Sequence, residues 1–199
     1  WNAPFLADFA PGSWSDMSPL TAMGLLLAAG SLALSTPTSS TLAVRSGEIA
    51  ALTVFALGTA ILGADLTGAS ALAEGRILLS SPQTAAGLTL VGMCLSLMRM
   101  RSAPLNAADF VAMLLLALIL FMAAGHLFGA SFVSASDGRL FSTQTMFCLT
   151  LIGFVIGNRL ALRGGLLSFL VHPGHGGRVA RTILPFAVAA PFVAFGLVG

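Results

Sequence analysis

Residues 81–98, Ser-Pro-Gln-Thr-Ala-Ala-Gly-Leu-Thr-Leu-Val-Gly-Met-Cys-Leu-Ser-Leu-Met, carry no charged side chain and open on a serine followed by a proline. The same opening stands at Ser18-Pro19-Leu20-Thr21-Ala22 and, more loosely, at Ser142-Thr143-Gln144-Thr145-Met146, at spacings of 63 and 61 residues. Serine at such a boundary caps a helix. Proline at the first helical position loses no N–H that the helix would use, and a Thr three residues after the cap bonds locally within the first turn. Each opening leads into an apolar run, so each is read as the start of a membrane-spanning helix.

A second marker keeps the same period: Leu66-Thr67-Gly68-Ala69-Ser70 returns as Leu127-Phe128-Gly129-Ala130-Ser131, again 61 residues on. Two markers in one register define a repeated helical hairpin, with units near 17–79, 80–140 and 141–199, the last incomplete. Two helices per unit return the chain to its starting side. The repeats are therefore parallel, unlike the inverted repeats that build many transporters, and alternating access is disfavoured.

The composition agrees. Of 199 residues 57% are hydrophobic and 8% charged, where soluble domains carry about 25% charged residues, and the mean hydropathy is +0.97. Nine Arg, no Lys and seven acidic residues cannot cover a soluble surface, which excludes a soluble enzyme, a disordered tail and a nucleic-acid binder. Cys94 and Cys148 each lie inside an apolar run and behave as small hydrophobes, with no disulfide framework or metal cluster implied. The expected fold is an all-α polytopic membrane bundle, one transmembrane domain over 1–199. About six spans are expected, near 18–35, 47–67, 81–98, 106–128, 142–162 and 180–198.

The first, third and fifth connections hold Arg45, then Arg99 and Arg101, then Arg159, Arg163, Arg178 and Arg181; the second and fourth hold Arg76 and Arg139. By the positive-inside rule the richer side is cytoplasmic, in a bacterial inner membrane, and Trp1, Trp14, Asp65, Glu74 and Asp137 lie outside. No basic segment with an apolar core precedes residue 20, so a piece before Trp1 is expected.

The helix starts Met17-Ser18-Pro19-x-Thr21-Ala22 and Leu140-Phe141-Ser142-Thr143-Gln144-Thr145, with Gly176-Gly177-Arg178-Val179-Ala180-Arg181-Thr182-Ile183-Leu184-Pro185, carry a resemblance. The chain resembles the multi-helix transmembrane sensor region (MASE-like) that precedes PAS, histidine-kinase or GGDEF modules in bacterial signalling proteins, over nearly its whole length. That family's helix starts commonly carry an Asn where Leu20, Gln83 and Gln144 stand here, so the resemblance implies no ligand. It implies one further span before the first repeat and one after the Gly-Gly-Arg helix, leading to a cytoplasmic output module. The expectation is therefore of a fragment of such a protein, or of a relative that has lost its output.

Several residues are candidates for a role. Gln83, Gln144, Thr21, Thr84 and Thr145 either serve only the helix starts or line a polar pocket at the outer end of the bundle. Asp65 and His126 occupy equivalent repeat positions near the outer boundary, where they are interfacial and solvated or form a sensing pair, since His changes charge near neutrality. Arg178 and Arg181 are expected to anchor the last helix against lipid head groups. Asp109 is expected at the inner end of the fourth helix, complementing its dipole. His172 and His175 read as part of a solvated loop. No catalytic constellation and no metal site is expected. Two functions remain open: a non-catalytic sensory input domain acting on a cytoplasmic module, and an accessory subunit of a photosynthetic or respiratory complex that binds lipid, quinone or pigment beside other membrane subunits.

Overall fold

The serine-capped starts become helices in the computed structural model, which describes residues 17–35, 40–67, 81–100, 105–127 and 142–163, together with Arg178 and Thr182. Among these there are five helices: α1 (Pro19–Ala33), α2 (Thr41–Leu66), α3 (Pro82–Leu97), α4 (Leu105–Leu127) and α5 (Thr143–Leu162). Ser18 and Ser81 cap α1 and α3 from extended backbone, each accepting from the N–H of a Thr three residues on, with proline at the first helical position. Ser40 caps α2 in the same way, accepting from the Ala43 N–H at 3.3 Å.

Expected and observed boundaries differ mainly at α2, which starts at Thr41 rather than near 47. Arg45, expected in the first connection, belongs to the helix and is exposed on it, as is Glu48. Charged side chains in the first two turns keep contact with water at a membrane surface, so they do not delay the helix start. Asp109 also departs from expectation. Because α4 begins at Leu105, Asp109 lies beyond the first turn, on the face packed against α3, and is only 1% exposed. It is an interior residue, not an interfacial charge.

Three helical stretches are long and apolar enough to cross a membrane: Thr41–Leu66, Asn106–Gly125 and Gln144–Leu162, with mean hydropathies of 1.9, 2.5 and 1.7. The α1 and α3 helices, with 15 and 16 residues, extend roughly 22–24 Å at 1.5 Å per residue, short of the ~30 Å hydrocarbon layer. The run expected at 180–198 lies outside the described residues, apart from Thr182.

The bundle faces outward with its large apolar side chains. Leu26, Ile49, Phe110, Phe147, Phe154 and Leu162 are all exposed, a distribution suited to lipid and not to water. Outward hydroxyls are satisfied within their own helices: Thr53 donates to Ile49 O at 2.8 Å, Thr59 to Phe55 O at 2.9 Å and Thr150 to Met146 O at 2.7 Å. That is the arrangement required where no solvent can accept a hydrogen bond.

The helices run up and down in sequence order, with α1, α3 and α5 parallel to one another. The short α3 touches all four others, and it contributes Leu88, Val91, Cys94 and Leu95 to a core completed by Leu115, Met122, Leu149 and Ile156. Its pairing with α2 is the closest in the bundle, because each helix offers a glycine to the other. A Cβ on Gly58 would stand 2.5 Å from Thr89 N, and one on Gly92 would collide with Phe55 N. Backbone thus meets backbone at two levels of one antiparallel seam, the close approach that small residues permit. Leu149 fills the notch at Gly87 and Ile119 the notch at Gly153. A Cβ on Gly30 or Gly157 would meet nothing within 4 Å among the described residues.

Candidate functional site

At the serine-capped end, the three Thr candidates are turned inward at the starts of the parallel helices α1, α3 and α5. Thr21, Thr84 and Thr145 are 2%, 4% and 2% exposed. Two of them are engaged in capping: Ser18 Oγ lies 2.8 Å from Thr21 Oγ1 and accepts from the Thr21 N–H at 3.3 Å, and Ser81 holds Thr84 at the same two distances. Ser142 takes the same extended N-cap backbone at α5, with φ −70° and ψ 126°.

Gln83 and Gln144 are half-buried in the first turns of α3 and α5. The Gln83 Oε1 is buried without a hydrogen-bond partner among the described residues, an arrangement that ordinarily costs free energy. Asp65, half-buried, precedes the last residue of α2 at this same end. His126 is the penultimate residue of α4, but its side chain, and with it the expected pairing with Asp65, lies outside the described residues. Arg178 is exposed, with its carbonyl accepting from Thr182 Oγ1 at 2.9 Å; Arg181 lies outside the described residues.

The most elaborate polar construction is at the opposite end, around Arg99, a residue that entered the sequence reading only as a marker of topology. Arg99 follows the C-cap Met98 of α3, and its guanidinium reaches across the ends of two other helices. Nη1 donates to Val44 O in the first turn of α2 at 2.9 Å. Nη2 donates to Ser31 O at 2.7 Å, to Ser31 Oγ at 3.1 Å and to Ser35 Oγ at 2.5 Å, all at the C-terminal end of α1. The two serines close the arrangement: Ser31 Oγ donates to Gly47 O at 2.8 Å and Ser35 Oγ to Ser31 O at 2.7 Å.

The physical logic is that of a helix terminus. The last carbonyls of α1 have no partner within the helix, and a cation there satisfies them while opposing the negative end of the dipole. The planar fork of guanidinium spans two acceptor groups at once, which a single ammonium cannot do. Burial lowers the proton affinity of Arg99 from its ordinary value, the charge of Glu48 counters this, and that of Arg159 adds to it. A guanidinium starts from so high a value that it remains a cation at any physiological pH. The site binds and fixes; it does not transfer protons.

Arg163, just past α5, completes this end by donating from Nη1 to Met98 O at 2.7 Å. Between Arg99 and Arg163 opens a pocket of about 240 Å³ bordered by Leu32, Ser35, Val44 and Leu95. Sequence reasoning passes over this site because its acceptors are backbone carbonyls and two serines, up to 68 residues from Arg99 in the chain. The usable signal is Gly47, a glycine early in a helix opposite an Arg that follows another.

Among the described residues no group of three His, Cys, Asp or Glu side chains is placed to hold a metal ion. The cysteines are free thiols, Cys94 buried with Sγ 3.5 Å from Ala108 O and Cys148 half-buried. No family model, curated protein or solved structure matches this chain.

Proposed function

We propose that the chain is a non-catalytic, integral-membrane input domain of a bacterial signalling protein. In this reading it crosses the inner membrane six times as parallel helical-hairpin repeats, with the arginine end in the cytoplasm. The observation that carries the reading is the Arg99 strap. One side chain joins the ends of α1, α2 and α3, and Arg163 ties α5 to the same point. A change in helix packing anywhere in the bundle is thereby gathered at the end from which a cytoplasmic module would be driven.

Further support comes from three directions. The matching Ser18–Thr21 and Ser81–Thr84 caps agree with a repeat of unit 61–63 residues. The arginines of the described bundle, Arg45, Arg99, Arg159 and Arg163, lie at one end, as the positive-inside rule requires. The order of helix starts followed by a Gly-Gly-Arg segment resembles sensor regions. Asp65, His126, Gln83, Gln144 and the three inward Thr residues are then the place to seek a stimulus, and Arg178 and Arg181 rest on head groups.

The test is to isolate the protein from its native membrane and determine its intact mass and companions. A polypeptide that continues past Gly199 into a kinase, cyclase or PAS module, with output altered by Arg99→Ala, is the expected result. A polypeptide ending at Gly199 and held in fixed stoichiometry within a respiratory or photosynthetic complex would overturn the proposal in favour of an accessory subunit.

A further inference from the structure

Beside the Arg99 pocket runs a second depression, a groove of about 300 Å³ between α1 and α5. Its floor and walls are aliphatic: Ala29 and Ala33 on α1 face Ile152 and Val155 on α5. At its arginine end stands Arg159, one helical turn beyond Val155. Leu32 lines both depressions. Arg159 belongs to the lining of the groove, and Arg99 and Arg163 to that of the pocket.

Among the described residues, the hydrogen bonds of Arg99 and Arg163 go to uncharged acceptors. Val44 O, Ser31 O, Ser31 Oγ and Ser35 Oγ receive Arg99, and Met98 O receives Arg163; all five are neutral oxygens. The charges felt at Arg99 are those of Glu48 and of Arg159. Like charges so placed repel, and a phosphate with several acceptor oxygens relieves this by bidentate bonding. In a membrane-spanning bundle, arginine-bearing helix ends stand at the depth of the lipid head groups.

We infer that the α1–α5 groove and the Arg99–Arg163 pocket form one binding site for an anionic phospholipid, its phosphate among Arg99, Arg159 and Arg163 and an acyl chain along Ala29, Ala33, Ile152 and Val155. The lipid seals the gap left by the two small residues of α1 and bridges α1 to α5. The site is independent of the sensory reading and holds equally for an accessory subunit.

The test uses the full chain in phosphatidylcholine vesicles doped with spin-labelled phosphatidylglycerol. A motionally restricted lipid component is expected with the wild type. The double variant Arg159→Gln/Arg163→Gln should weaken its retention roughly 20- to 30-fold, taking the head-group attraction of two cations. Arg45→Gln, at the same end but outside both linings, should leave it unchanged; loss equal to the double variant would mean diffuse surface attraction and overturn the site. Ala29→Trp fills the groove without altering charge, so it should expel the lipid and serves as the second variant if the Arg changes impair folding. Retention unaffected by Ala29→Trp, or displacement of the lipid by millimolar inorganic phosphate, would make the pocket a soluble-anion site and overturn the proposal.

Discussion

The guanidinium of Arg99 occupies the space that a side chain at position 47 would need: a Cβ on Gly47 would lie 2.5 Å from Nη2 and 2.7 Å from Nη1. The two positions are therefore coupled. Alanine is favoured over glycine inside a helix by about 0.8–1.0 kcal/mol, but Gly47→Ala must displace the strap that α1 and α2 share. In the wild-type background the change should be neutral or destabilising, and in an Arg99→Ala background stabilising. A double-mutant cycle by unfolding in mixed micelles should give a coupling of about 1–2 kcal/mol. Additive effects would show that the guanidinium moves aside freely.

Arg99→Lys should not preserve the strap. An ammonium group reaches either Val44 O or the Ser31 and Ser35 oxygens, not both sets. Arg99→Lys is expected to lose about 1–2 kcal/mol, near the loss for Arg99→Ala. Thermal melting in detergent would check this, and a lysine variant melting like the wild type would refute it.

The glycines of the α2–α3 seam should be far less tolerant than those elsewhere. Gly58→Ala and Gly92→Ala place a methyl group against the backbone at Thr89 and Phe55, which has no rotamer to change, and about 2–3 kcal/mol of destabilisation is expected for each. Gly30→Ala and Gly157→Ala, which meet nothing within 4 Å among the described residues, should be neutral or slightly stabilising. Equal losses at all four positions would contradict the seam.

Gln83→Leu reproduces the residue found at the matching place in the first helix start, Leu20. It removes a buried acceptor that has no hydrogen bond, so the melting temperature should rise, corresponding to about 1 kcal/mol. If Gln83 serves the stimulus site, the same variant should lose response while gaining stability. A lower melting temperature would reveal a partner for the amide.

Topology is tested by cysteine accessibility. Ser40→Cys, at the exposed N-cap of α2, should label from the cytoplasmic side, and Ala73→Cys from the outside. Labelling of both from one side would exclude a crossing by α2.

The helix starts were readable because their information is local. Ser81-Pro82 placed α3 within one residue of its observed limits, and Ser142 did the same for α5. The helix α2 starts about six residues before the expected position, since Arg45 looks like a loop residue to a hydropathy argument and yet fits the exposed side of the opening turns. The Thr positions were recognisable as first-turn residues, and their burial follows from the inward face of parallel helices. Nothing local marks Ser31 or Ser35 as ligands of a guanidinium, because what they offer, a hydroxyl and a carbonyl at a helix end, gains meaning only when α3 ends beside them. Asp109 was misread for a related reason: a carboxylate near a helix start suggests a dipole partner, and only the packing of α4 against α3 turns it inward.

The paired glycine contacts of α2 and α3 act like the teeth of a ratchet. With Gly58 seated over Thr89 and Gly92 over Phe55, sliding one helix along the other by a residue would bring a position bearing a side chain onto facing backbone. The seam resists piston displacement and permits rocking about its own line. Motion passing along this pair from one end of the bundle to the other must therefore travel as tilt.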